Sequence, residues 1–325
     1  MVGFDEKSAV IIADTRRVNV GDDLLLHCFA QYLYTRGFTD IGTVGVSSLS
    51  SVRAIAPWKA IIMLLIGSWR GRRIYLGPGG IFFESLLNLN LLYYFLFSLV
   101  IKLSGSSYSV CGSSVDDLRG FFAKELARFI LAQSDEIEVR DNASKLIVQK
   151  LLGHSAKVYV RKDYVDTVIQ GRYSAIDCKN KTALIIPTWT RQQSVYGDDQ
   201  MLIENLCRLM SYLITMGYEI QLIPFHRTKD LVLCNLLKCR MDTQAVQLHS
   251  DFTLDELEKT LIDSALCITM RLHSVIMASK FNRNVSCILY SSKVEAYVET
   301  FDLPYVEFWN LYEERNEERY PSLFR

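Results

Sequence analysis

Ala265-Leu266-Cys267-Ile268-Thr269-Met270-Arg271-Leu272-His273-Ser274 reads as a short buried strand that runs through a turn into a helix. The apolar run 265–269 is the strand, and the pattern from Ser274 to Phe281 is helical. Arg271 and His273 therefore fall on a strand-to-helix turn. In an open α/β sheet such turns collect at the carboxyl edge, where ligands bind. A helix start adds unsatisfied N–H groups and a positive dipole end, which suit a phosphate or carboxylate. A permanent cation two residues from a titratable imidazole serves an anionic substrate that must gain or lose a proton. The plainer alternative is an Arg that pairs with a nearby acid and a His that caps the helix.

Working outward, strands and helices alternate on both sides of this stretch, the pattern of parallel βαβ units. Downstream of the polar stretch Gly171 to Lys181, strands are predicted at 182–186, 219–223, 245–248, 266–269 and 285–289. Helices fall near 199–216, 231–238, 254–263, 274–281 and 294–301. Thr253 with Glu256 forms a capping box. Upstream, strands are predicted at 9–13, 41–46, 73–76, 108–111, 136–139 and 157–160. Helices there fall near 22–35, 117–132 and 143–152. The fold class is α/β, with two doubly wound Rossmann-like domains, 1–172 and 173–325, facing a cleft. The charged run 313–319 reads as a solvated helix end.

At 325 residues the chain exceeds the usual single-domain size. Half of its residues are hydrophobic, and Lys+Arg balance Asp+Glu at 36 each, so a disordered or nucleic-acid-binding chain is not expected. None of the eight cysteines forms a Cys-x-x-Cys pair, which argues against a structural zinc site or a disulfide framework. No metal site is expected, and reduced thiols fit a cytoplasmic protein. No signal peptide is evident. Two apolar segments bear on membranes. Ala60 to Gly67 is too short to span a bilayer, and Leu86 to Leu103 is interrupted by Asn88, Asn90 and Lys102. A buried helix is favoured for the second, with contact in the interface plane as the alternative, since Trp58 and Trp69 flank the first.

Further candidate residues sit on other turns. In the first half, Asn19-Val20-Gly21-Asp22-Asp23 follows the first strand. Gly21 permits a sharp turn, Asp22 or Asp23 can cap the next helix, and Asn19 is placed to face the cleft. Gly77-Pro78-Gly79-Gly80 follows the third strand, where glycines let backbone amides approach a ligand. In the second half, Tyr290-Ser291-Ser292-Lys293 lies on the turn adjacent to that of Arg271. Arg191 and His226 end two further strands. There is no Gly-x-Ser-x-Gly elbow and no His-Glu-x-x-His helix, which disfavours a hydrolase.

Taken together, Asn19-x-Gly21-Asp22-Asp23, Gly77-x-Gly79-Gly80, and Met270-Arg271-Leu272-His273 followed by Tyr290-x-x-Lys293 resemble the polysaccharide pyruvyl transferase family. Val139-Arg140-Asp141 with Ser144 and Gly153 is similar to a further signature of that family. Val18 stands where a Gly often precedes the Asn, and Pro78 interrupts a run that is often all glycine.

The resemblance implies a fold like that of the metal-independent GT-B glycosyltransferases. It also implies transfer of the enolpyruvyl unit of phosphoenolpyruvate, a co-substrate rather than a cofactor, onto two hydroxyls of a glycan or lipid-linked sugar. The product is a cyclic ketal, with release of phosphate. On this reading 173–325 is the donor side, with Arg271, Lys293, Tyr290, Arg191 and Ser292 on the donor anions and His273, with Arg271, catalytic. The domain 1–172 is the acceptor side, with Asn19, Gly21, Asp22, Asp23, Gly79, Gly80, Arg140 and Asp141 at the cleft. The enzyme is expected in the cytoplasm, with peripheral contact at the inner membrane face as a further expectation. The alternatives are a nucleotide-sugar glycosyltransferase and a non-catalytic scaffold of polysaccharide assembly.

Overall fold

On a parallel strand, successive side chains point to opposite faces, and helices cover both faces of each sheet in this protein. A computed structural model describes residues 7–13, 18–45, 52–84, 87–169, 181–189, 199–281, 284–289 and 292–307. Residue contacts divide the chain into two compact units. One comprises Met1–Arg17 and Asp22–Val168; the other comprises Val18–Gly21 and Ile169–Arg325.

The first unit carries β1 (Lys7–Ile12), α1 (Val20–Thr35) from Asp22 onward, β2 (Phe38–Val44), β3 (Arg53–Ile55), α2 (Pro57–Leu65), β4 (Arg73–Leu76) and β5 (Gly79–Phe82). It continues through α3 (Leu89–Leu103), β6 (Ser109–Val115), α4 (Phe121–Ala132), β7 (Ile137–Val139), α5 (Asn142–Leu152), β8 (Val158–Val160) and α6 (Tyr164–Val168). The strand order is β3-β2-β1-β4-β6-β7-β8, with β5 pairing β6. Val10 and Ile12 of β1 pack with Leu64, Tyr94, Phe97, Ala127 and Val148 of the helices α2 to α5. On the other face, Phe29 of α1 meets Tyr75 of β4 and Tyr164 of α6. Gly77 is obligatory at the end of β4. Its φ is +106°, and a Cβ there would lie 2.3 Å from the Cys111 carbonyl oxygen.

The second unit carries β9 (Thr182–Ile186), α7 (Asp199–Thr215), β10 (Glu219–Leu222), α8 (Lys229–Met241), β11 (Val246–Leu248) and α9 (Leu254–Asp263). Then come β12 (Leu266–Thr269), α10 (Leu272–Phe281), β13 (Val285–Leu289), α11 (Ser292–Phe301) and β14 (Tyr305–Glu307). Its sheet order is β11-β10-β9-β12-β13-β14, parallel throughout. Ala183 and Ile185 of β9 pack on Leu206, Leu213, Leu233 and Leu237 of α7 and α8. The order reverses between β9 and β12, which makes their carboxyl ends the topological switch point where α/β folds bind ligands. The expected capping box is present at the start of α9. Seven described cysteines are free thiols, and burial pushes those of Cys28 and Cys287 up to about 12.

Several boundaries differ from the sequence reading. The helix after β1 starts at Val20, not Asp22, because Asn19 caps it by accepting the Gly21 N–H at 3.2 Å. Asp22 and Asp23 occupy its first turn instead, where carboxylates suit the dipole. Gly79 and Gly80 open a short strand rather than only a turn. The predicted domain break, Gly171 to Lys181, lies outside the described residues except for Lys181, and the charged run 313–319 lies wholly outside them.

The two apolar segments form α2 and α3. No helix among the described residues is long and apolar enough to cross a membrane. Trp69 is fully buried, whereas Trp58 is 61% exposed. Leu91, Tyr94, Phe97 and Ile101 bury one side of α3, but Leu89, Leu96 and Leu103 face outward. A side chain of this size left in water forgoes about 1.5–3 kcal/mol of burial.

Candidate active site

Three neighbouring strand ends of the second unit converge on one carboxylate. Asp230, in the first turn of α8, has no solvent exposure. The turn after β12 delivers Arg271, whose Nε donates to Asp230 Oδ2 at 2.6 Å while a terminal nitrogen donates to Oδ1 at 2.8 Å. The turn after β10 brings the His226 N–H to Oδ2 at 2.8 Å. The turn after β9 adds the Thr188 hydroxyl at 3.1 Å and the Trp189 N–H at 3.4 Å to Oδ1. A buried charge is tolerated when it is paired and hydrogen-bonded in this way. The plain alternative of the sequence reading, Arg271 pairing with an acid, is therefore part of the finding. The two-pronged pair also fixes the plane of the guanidinium, whose side chain remains 18% exposed.

His226 is held on both sides. Its Nδ1 accepts the N–H of Lys229 at 3.2 Å. An amide can only donate, so the neutral ring carries its proton on Nε2. Desolvation, then the Arg271 cation, lowers its pKa from the ordinary 6.5. Native His226 thus refuses a proton that the unfolded chain accepts, and stability must fall as pH drops below about 6.5. Denaturant unfolding at neutral and mildly acidic pH should show this fall, and His226→Gln should lessen it. An equal fall in the variant would remove His226 from the account.

The segment Val18–Gly21 belongs to this unit, which corrects its placement in the first domain. Asn19 and His226 form an antiparallel bridge. Val20 N–H donates to the Phe225 carbonyl at 2.8 Å, and Arg227 N–H to the Val18 carbonyl at 2.7 Å. A Cβ on Gly21 would fall 2.5 Å from His273 Nδ1, so only glycine lets the imidazole lie against this backbone. Helix α10 begins at Leu272, which puts His273 in its first turn rather than ahead of it. The structure therefore gathers Asn19, Gly21, His226, Asp230, Arg271 and His273.

The other predicted residues stand apart or lie beyond description. Asp22 and Gly79 are neighbours in the first unit, and Gly80 is exposed. Asp141 caps α5 through the Ser144 N–H at 2.6 Å, while the Ser144 hydroxyl accepts the Val115 N–H at 3.0 Å. Arg140 answers Asp163 at 3.4 Å. That signature therefore ties β6, β7 and α5 together. Arg191 and Tyr290 lie outside the described residues, as do the side chains of Ser292 and Lys293, whose backbone opens α11. Among the described residues no group of three or more His, Cys, Asp or Glu is arranged to hold a metal ion. Asp230 was missed because an acid in the first turn of a helix carries no signal beyond that position.

A family model described as polysaccharide pyruvyl transferase matches residues 19–292, a span that holds every residue gathered here. The chain belongs to the polysaccharide pyruvyl transferase family. It is accordingly a transferase of polysaccharide biosynthesis. Among curated proteins no relative matches the sequence.

Solved structures similar to this pyruvyl transferase chain share its fold. S. aureus MnaA, in a co-structure with UDP, is 12% identical with a TM-score of 0.63 over 98% of this chain and 90% of its own. The UDP-GlcNAc 2-epimerase of Methanocaldococcus jannaschii is 11% identical with a TM-score of 0.58, over 98% and 91%. An alpha-glucosyltransferase in complex with UDP is 10% identical with a TM-score of 0.55, over 97% and 88%. The fold is the two-domain Rossmann-like fold of GT-B glycosyltransferases and sugar-nucleotide epimerases.

Proposed function

We propose that the donor is phosphoenolpyruvate and that the product is a pyruvate ketal on a sugar of a cell-surface polysaccharide or its precursor. The observation that carries this reading is the Asp230-held guanidinium of Arg271 at the switch point, two residues from His273 at a helix start. A donor with a phosphate and a carboxylate on three carbons matches a fixed cation beside the N-terminal end of a helix.

His273 protonates the donor methylene, which leaves an oxocarbenium-like carbon. One sugar hydroxyl attacks that carbon and gives up its proton to the imidazole. The carbon–oxygen bond to phosphate then breaks, and the second hydroxyl closes the ketal, its proton leaving with phosphate. Arg271 stabilises the charge on the departing group. Lys293, Tyr290, Ser292 and Arg191 keep their donor-binding role from sequence position, and Asp22, Asp23, Gly79 and Gly80 their place on the acceptor side.

The test is phosphate release from phosphoenolpyruvate with a panel of glycan and lipid-linked acceptors, with the ketal methyl group followed by NMR. Release that depends on acceptor, with a new methyl signal, is expected. Transfer from a nucleotide-sugar without use of phosphoenolpyruvate would replace this reading with glycosyl transfer, the chemistry of the UDP-bound glucosyltransferase of similar fold. No turnover with any donor would point to a scaffold.

A further inference from the structure

We propose that the outer face of α2 and α3 docks the protein onto an anionic phospholipid bilayer. Trp58, Ile62, Leu65 and Ile66 are all about half exposed or more, and at 3.6 residues per turn they fall within an arc of about 100°. Leu89, Leu96 and Leu103, also exposed, form a single stripe at heptad spacing along α3, which packs beside α2. The opposite faces of both helices are buried in the core of the first unit. A helix that is apolar all round belongs in a protein interior or in contact with lipid. These two have one face in the core and one at the surface.

Charge selects the occupant. Between Asp40 and Asp116 the sequence has a single acid, Glu84, against six cations: Arg53, Lys59, Arg70, Arg72, Arg73 and Lys102. This is a local excess in a chain of zero net charge. The Glu84 carboxylate is occupied by the N–H groups of Arg119 and Gly120. Arg72 and Arg53 answer Asp40 and Lys102 answers Asp135 at 3.9 Å, while Lys59 and Arg70 are exposed at the two ends of the α2 stripe. The Lys59 ammonium lies over the Trp58 ring at 5.4 Å, an amphipathic pair suited to the headgroup boundary. Arg70 packs against Gly67, just past Ile66. A second copy of the chain fits less well, because a two-fold interface centred on this stripe would set Lys59 of one copy against Arg70 of the other, like charge against like. Anionic headgroups neutralise the same cations.

The test is co-sedimentation of the full chain with vesicles of phosphatidylglycerol mixed with phosphatidylcholine, and with phosphatidylcholine alone. Binding to the anionic vesicles, weakened by salt, is expected. Ile62→Glu with Leu96→Glu should abolish it without a change in thermal midpoint, since both side chains are exposed. Lys59→Glu with Arg70→Glu should weaken it about thirtyfold or more, and reads the electrostatic part independently of the apolar pair. A wild-type chain that stays in the supernatant, or variants that bind like wild type, would overturn the proposal. So would a wild-type dimer that the Ile62→Glu, Leu96→Glu variant dissociates, which assigns this face to a second copy. None of these readouts depends on the donor, so failure here leaves the catalytic reading untouched.

Discussion

Arg271→Ala is expected to cost about 3 kcal/mol of folding stability, the lower end of the range for breaking a buried pair. The loss is large because Asp230 has no exposure and would keep its charge without its cation. It falls at the lower end because the His226 N–H, the Thr188 hydroxyl and the Trp189 N–H remain on the carboxylate. Neutralising the acid as well, with Asp230→Asn in the Arg271→Ala background, should recover part of the loss, since no stranded charge remains. Denaturant unfolding of the wild type, the two single variants and the double variant measures this coupling. Additive losses would mean that the two side chains do not act as a pair. One consequence concerns kinetics. Weak donor use by the alanine variant would mix misfolding with lost binding. Arg271→Lys is the better probe of donor contact, because it keeps a cation beside Asp230 but cannot reproduce the two-pronged fork.

His273→Gln is expected to lower turnover by about 10²–10⁴-fold, the usual contribution of general acid–base catalysis. Glutamine keeps a hydrogen bond but cannot relay a proton to the donor methylene. The side chain is partly exposed in the first turn of α10, so the fold should tolerate the change. Steady-state rates with phosphoenolpyruvate, together with the thermal midpoint, separate catalysis from stability. Near-normal turnover in the Gln variant would make His273 a positioning residue. The proton would then have to come from elsewhere, with His226 of the same strand-end cluster, in its imidazolium form, the next candidate.

Much of this arrangement was legible along the chain because its causes are local. Apolar runs bounded by polar turns located β9, β12 and β13 to the residue, since a buried parallel strand is apolar on both faces. The capping box of α9 is a three-residue event and needs no tertiary partner. Placing Arg271 and His273 after a strand followed from the same logic, and so did reading the switch from strand to helix as a ligand edge. The start of α1 was misplaced because Asn, like Asp, can cap, and only the observed bond to Gly21 N–H decides which does.

What the sequence by itself determined was the alternation of elements, the α/β class and the family motifs, all of them set by neighbours within a few residues. The tertiary structure alone decided that Asp230 anchors Arg271 across 41 positions, and that Gly21 gives room to a histidine 252 residues away (273 − 21). It also decided that α2 and α3 each leave an apolar face at the surface. The physical reason is the same in each case. A buried carboxylate, a missing Cβ and an uncovered leucine have meaning only through what stands opposite them, and that is set by which strands lie side by side in the sheet.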